Sequence, residues 1–271
     1  MAKSRPLSLM AVALLHRDMH SWYLARRETL LAQHSWRMAA MIARVAPSID
    51  GWDRSVDFSE CLLLDLASRL VRSGERHSAR QLLETTNDIA PGSAPALLGL
   101  GALSERSGFP EEAVEELKML YKRHPEHYEG RLRLAVNRDR VGEQKAAEEL
   151  LRGLLEPSSP LWIRTVAYQE LGRLLIDEGR IEEAERRLRE GVARIPGNQR
   201  LQILLAHAID RAKRPREAGS VVDHIEMQGS QLNTSPRYRY SAWPDLDGER
   251  VRLTLEESRS LGVEALREVL P

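Results

Sequence analysis

The chain is poor in the features that announce chemistry or secretion. It has a single cysteine, Cys61, in 271 residues. No intrachain disulfide or Cys-x-x-Cys metal site can form, which suits a reducing, cytoplasmic setting. No apolar run reaches the roughly 20 residues that a membrane-spanning helix needs. Net charge is also absent, because 40 basic and 40 acidic side chains cancel. That argues against a dominant attraction to nucleic acid or anionic lipid and leaves room only for local patches. Lysine is scarce: only Lys3, Lys118, Lys122, Lys145 and Lys213 stand among the 40 basic residues. Arginine favours planar, bidentate pairing, so Arg–Glu contacts along helix faces are expected.

Motifs for chemistry are missing as well. No phosphate-cradling GxxxxGK[ST] or GxGxxG loop occurs. His16 and His20 lie four apart and can share a helix face, but two ligands do not make a metal site. His124 and His127 fall in a Pro-containing turn without zinc-protease spacing. Cys61 has no histidine beside it in sequence and reads as a buried structural thiol. The stretch Glu182-Glu183-Ala184-Glu185 reads as a solvated face paired with Arg186, Arg187 and Arg189. No nucleophile or acid–base constellation emerges, so the expectation is a protein without enzymatic activity, cofactor or metal.

What the chain does have is internal periodicity. A Leu followed by Ala or Gly, with an Ala twelve residues after the small residue, recurs five times: Leu66-Ala67 with Ala79, Leu100-Gly101 with Ala113, Leu134-Ala135 with Ala147, Leu171-Gly172 with Ala184, and Leu205-Ala206 with Ala218. The starts are 34, 34, 37 and 34 residues apart. An aliphatic follows four residues after each late Ala: Leu83, Leu117, Leu151, Leu188 and Val222. Small residues let two helix axes approach where they cross, and the aliphatic fills the gap between them. Gly74, Gly108, Gly142 and Gly179 fall where a left-handed residue ends the first helix of a pair. Pro110 and Pro215 suit the first turn of a second helix. The fifth unit lacks both the turn glycine and the closing proline, as a terminal repeat does.

The pattern resembles the tetratricopeptide repeat family, most closely over 165–198 with Tyr168, Leu171, Gly172, Ala184, Leu188, Gly191 and Pro196. The resemblance implies an all-α, right-handed α-solenoid of about five tandem helix-turn-helix repeats, flanked by helical N- and C-terminal segments. The first helices are expected near 60–73, 94–107, 127–141, 163–178 and 199–213. The second helices are expected near 76–89, 111–123, 143–155, 181–194 and 215–228. Three extra residues around Pro160 and Trp162 should lengthen one junction.

The flanks divide the chain into 1–57, a helical cap or docking segment; 58–232, the repeat domain; and 233–271, a connector and last helix. Lys3 and Arg5 precede the apolar run Leu7 to Leu15, which reads as the start of a helix rather than an export signal because no small-x-small cleavage site follows. Residues 7–46 are expected to form two helices broken near 25–34, or one long one, and Pro47 to Ser55 a loop. Asp57 with Glu60, and Thr254 with Glu257, look like capping pairs. Val251 and Leu253 alternate with Arg250 and Arg252 and suggest a short strand. The last helix, near 255–269, is expected to cap the last repeat.

In the family, positions two, five, nine and twelve of each first helix line a concave groove. That register implies a partner-binding set including Leu64, Val71, Leu98, Ala102, Leu132, Val136, Gln169, Arg173, Arg200 and His207, with Cys61, Ser68, Ile203 and Asp210 in the same rows. The groove starts apolar and becomes charged, suiting a peptide or amphipathic helix of a protein partner. The chain's own N-terminal helix is a second candidate occupant. A family subgroup grips C-terminal carboxylates with Lys, Asn and Arg at fixed positions; only Arg133 fits here, so that mode is not expected. The function implied is a non-enzymatic adaptor or scaffold, probed by aspartate at Leu98 and Leu132. The rival reading is a regulatory module binding nucleic acid or a nucleoprotein through Arg-rich faces and the connector Arg237-Tyr238-Arg239-Tyr240 with Trp243, which otherwise docks on the last repeat.

Overall fold

A computed structural model describes residues 4–48, 54–228 and 243–269. Among them every regular element is a helix. The chain divides into two compact units, residues 1–103 with 243–271, and residues 104–242.

The first unit begins with α1 (Ser4–Ala25) and α2 (Thr29–Val45), a hairpin broken at 26–28, where Arg27 takes a positive φ of 60°. A single 3-10 turn, Ala46–Ser48, follows. The rest of the unit is α3 (Ser55–Ser73), α4 (Arg76–Ile89), most of α5 (Ala94–Ser107) and the last helix, α13 (Gly248–Val269). The second unit holds α6 (Pro110–Arg123), α7 (Tyr128–Arg140), α8 (Gln144–Gly153), α9 (Leu161–Asp177), α10 (Ile181–Arg194), α11 (Gln199–Arg211) and α12 (Pro215–Gln228). α3 with α4, α7 with α8, α9 with α10 and α11 with α12 pack as consecutive pairs. The predicted spans 76–89, 94–107, 181–194 and 215–228 coincide with α4, α5, α10 and α12, and Pro110 and Pro215 open α6 and α12.

The crossing positions are buried as the pattern requires. Ala67 and Ala135 are fully covered, Ala206 is nearly so, and Gly101 and Gly172 are buried. In the α9–α10 pair the reason is explicit: a Cβ at Gly172 would stand 2.5 Å from Leu188 Cδ2, and one at Gly191 would stand 3.0 Å from the Tyr168 ring. Leu83, Leu117, Leu151 and Leu188 are buried, whereas Val222 in the last pair is 42% exposed.

Each turn glycine also does what its position demands. Gly74, Gly108, Gly142 and Gly179 take φ between 76° and 90°, where an L side chain is strained. In the fifth unit the register places Lys213 at that point, and it takes φ 62°. The degenerate repeat therefore keeps the turn geometry without the residue that favours it. The junction before α9 spans 154–160, against four residues before α5, α7 and α11, so the three-residue insertion lengthens it as predicted.

Several local expectations are corrected. Glu60 does not cap α3, which starts at Ser55 without a side-chain cap; Glu60 instead accepts a hydrogen bond from the Ser93 hydroxyl at 2.6 Å. Thr254 and Glu257 lie inside α13, whose first N–H, on Gly248, is accepted by Asp245 Oδ1 at 2.7 Å. Val251 and Leu253 are helical, not a strand. Four alternating residues also fit a helix that buries Val251 and Leu255 at i, i+4 spacing. The Arg237–Tyr240 cluster lies outside the described residues.

Candidate partner-binding surfaces

In the first unit, the inner row of α3 (Cys61, Leu64, Ser68 and Val71) is buried or half-buried. What covers it is the chain's own C-terminal helix. α13 packs on α1 and α3, not on the last repeat as the sequence suggests. Leu246, Val251 and Leu255 are buried, and Leu246 approaches the backbone of α5 so closely that a Cβ at Gly99 would lie 3.3 Å from its Cδ1. The Trp243 indole N–H donates to Ser68 Oγ at 3.3 Å, so this ring docks on the first repeat. Polar clasps surround the apolar strip. Arg250 pairs with Glu60 at 2.9 Å, Arg54 with Glu257 at 2.6 Å, and Arg259 with Asp18. Burial pushes the Cys61 thiol up, while a hydrogen bond with Thr254 pulls the other way.

A cleft of about 410 Å³ remains beside this helix, walled by Ser68, Arg69, Arg72, Trp243, Arg252 and Arg259. Asp65 lies between two arginines there, 2.6 Å from Arg69 and 3.8 Å from Arg17. Leu98 and Ala102 of α5 are buried too. The N-terminal hairpin meets α3 through α2 and also through α1, where Arg69 donates to Ser21 Oγ at 2.6 Å, and His20 is buried in that hairpin with Nδ1 3.0 Å from the Ala32 carbonyl.

In the second unit, the inner rows change character along the chain. Leu132 and Val136 of α7 are buried. Beside them Arg133, 1% exposed, pairs with Glu105 at 3.0 Å and Glu129 at 2.9 Å. Its guanidinium is therefore committed to carboxylates within the fold, not presented to a ligand. His127 caps α7: its Nδ1 accepts from the Gly130 N–H at 3.0 Å, and burial lowers its pKa. In α9, Gln169 donates to Asn198 at 3.0 Å, and Asn198 in turn caps α11. Arg173 is held by Asp139, by Glu170 at 3.1 Å and by Asp177 at 2.8 Å. Only on α11 does the row open to water: Arg200, Ile203, His207 and Asp210 are exposed, Ile203 by 56%.

On the second helices a different arrangement repeats. Arg152 joins Glu148 and Glu183, both at 2.5 Å, while Arg180 joins the same two carboxylates at 2.7 and 2.5 Å. One repeat later Arg189 joins Glu185 at 2.8 Å and Glu217 at 2.6 Å, and Arg214 closes the second quartet on the same pair. Each quartet ties one second helix to the next, α8 to α10 and α10 to α12. The arginines hold Glu148 and Glu185 below the ordinary carboxylate range and bring Glu183 down to about 2. The Tyr168 hydroxyl donates to Glu190 at 3.0 Å, and burial, with Glu190 beside it, pushes Tyr168 up to about 12.

A family model described as tetratricopeptide repeat matches residues 167–240. Over that stretch the chain is similar to tetratricopeptide repeats. Among solved structures, a tetratricopeptide repeat protein from Parabacteroides merdae is similar with a TM-score of 0.59 at 15% identity, over 96% of this chain and 97% of that one. A MamA fragment from Desulfovibrio magneticus is similar with a TM-score of 0.57 at 18% identity, over 64% of this chain and 97% of that one. At such identities the likeness is one of fold. No curated protein matches the sequence. Among the tetratricopeptide positions read from sequence, Leu64, Val71, Leu98, Ala102, Leu132 and Val136 are packed inside, Gln169 and Arg173 bond within the fold, and Arg200 and His207 face solvent. The docking of α13 was missed because nothing local in a sequence says which repeat a distant helix covers.

Proposed function

We propose that this tetratricopeptide-repeat chain is a non-enzymatic scaffold that holds an amphipathic helix or peptide of a protein partner on the inner faces of its helix pairs. One observation carries the reading: the inner row of the first pair already holds such a helix, α13, by an apolar strip of Leu246, Val251 and Leu255 inside charged clasps. That is how helix-in-groove recognition works between chains. The row left open by the fold is that of α11, where an apolar residue, Ile203, stands among Arg200, His207 and Asp210.

The test uses exposed positions. Aspartate at Leu98 or Leu132 would report on folding, since both are about fully buried. Arg200→Ala with Ile203→Asp, by contrast, changes exposed side chains and gives up only the 3.8 Å contact of Arg200 with Glu170. Proteins retained by the native chain should be lost from this double variant at unchanged helical content. Retention of the same proteins by the folded variant would remove α11 as the contact.

A further inference from the structure

The hairpin of α1 and α2 breaks the rule for the end of a repeat row, which is that an outer helix shows water a polar face. Around its turn Trp22 is 52% exposed, Leu30 80% and Leu31 47%. The apolar surface continues along both helices, with Leu15 59% exposed on α1 and Met41 51% exposed on α2. Side chains this exposed stand proud of the surface. They suit entry into a soft apolar phase.

The charge around them is one-sided. Near the turn the exposed arginines Arg26, Arg27 and Arg37 stand against one exposed carboxylate, Glu28, in a chain whose total charge is zero. Asp18 is already paired with Arg17 and Arg259. Arg26 lies over the Trp22 ring at 3.6 Å, and Arg27 and Arg37 are exposed nearby in sequence. Two copies meeting tip to tip would bring like charges together, whereas an anionic surface is complementary. Exposed Trp and Leu flanked by arginine is the composition of elements that lie in a lipid interface. No helix among the described residues is long and apolar enough to cross a bilayer, so the contact would be made from one side.

We propose that the turn of the α1–α2 hairpin seats on an anionic lipid surface. Trp22, Leu30 and Leu31 enter the boundary between headgroups and acyl chains, while Arg26, Arg27 and Arg37 meet lipid phosphates. The inference is independent of the partner-binding reading and uses a different face of the first unit.

The experiment is co-sedimentation of the full chain with vesicles of phosphatidylcholine alone and with about one-third phosphatidylserine. Binding to the anionic vesicles is expected, weakening as salt rises. Leu30→Asp with Leu31→Asp should reduce it by about tenfold or more. Arg26→Glu with Arg27→Glu should erase the preference for anionic vesicles. Quenching of tryptophan fluorescence by brominated lipid should fall in Trp22→Phe. These side chains are exposed, and circular dichroism confirms that each variant is folded. No binding, or binding unchanged in the Leu30/Leu31 variant, overturns the proposal. So does self-association that the Leu30/Leu31 variant abolishes in a chain that ignores vesicles, which would assign the tip to a second copy.

Discussion

Replacing Gly172 by alanine tests the crossing geometry most directly. In an open helix this change is favourable by about 1 kcal/mol, because alanine has less backbone freedom to lose. At Gly172 the new methyl would fall 2.5 Å from Leu188 Cδ2, 2.8 Å from Cγ and 3.1 Å from Cδ1. Carbon atoms prefer roughly 3.5–4.0 Å. Because Cγ itself is too close, turning the end of the leucine does not clear the clash, and Leu188 is fully buried. Overpacking of this kind costs about 1–3 kcal/mol. With contacts below 3.0 Å the upper part of that range applies, so a net loss of about 1–2 kcal/mol is expected, or a fall in Tm of roughly 3–6 °C. The control is Gly219→Ala in α12, where nothing lies within 4 Å of the added Cβ; it should gain about 0.5–1 kcal/mol. Thermal and urea unfolding followed by circular dichroism compare the two. A Gly172→Ala chain that melts at or above the native temperature would refute the argument that small residues set the helix approach.

Three further outcomes follow from the same structure. Lys213→Gly should stabilise by up to about 1 kcal/mol in urea unfolding, since it removes left-handed strain at φ 62° but adds freedom to the unfolded chain; a loss would mean that the lysine side chain contributes more than its backbone costs. Acid should weaken the second unit: Glu148, Glu183, Glu185 and Glu190 titrate lower when folded than when unfolded, so their contribution is complete above the ordinary carboxylate range and disappears as pH falls towards about 2, where Glu183 titrates. Water reaches these pairs, so each carboxylate is worth about 1 kcal/mol or less, and a chain with Glu148→Gln and Glu185→Gln should show a flatter urea midpoint against pH; identical profiles would refute the role of the quartets. Cys61, the sole thiol, reports on α13: it is buried beneath that helix, and Leu255→Asp should speed its reaction with a disulfide reagent by about tenfold or more, whereas an unchanged rate would mean that α13 does not shield it.

The repeat architecture was legible because its constraint is local and recurs. A crossing tolerates only a small residue, so Gly172 and Ala135 mark helix approach whatever lies around them. The left-handed turn is set by backbone, and the fifth unit keeps it at Lys213, a residue that the glycine pattern does not mark. Capping was less legible, since a carboxylate three residues into a helix serves equally well elsewhere: Glu60 takes the Ser93 hydroxyl and the Arg250 guanidinium instead of the N-terminus of α3. The inner-row residues followed the family register, but register says nothing of occupancy. Leu64 lies beside Leu246, Val251 and Leu255, which α13 and its approach bring back across nearly the whole chain. The arginine excess announced the ion pairs; that they close into quartets joining α8, α10 and α12 depends on how far one pair rotates on the next, which no single segment encodes.

The clasp between Arg54 and Glu257 joins residues 203 positions apart. A chain emerging from the ribosome at about 5–20 residues per second would deliver Val251 roughly 10–40 s after Cys61. Through that interval the leucine row of α3 has no lid, and chaperones have time to reach it. A nonsense or frameshift lesion beyond residue 242 would therefore be felt at the opposite end of the polypeptide, as a bare and aggregation-prone first repeat rather than a shortened last one.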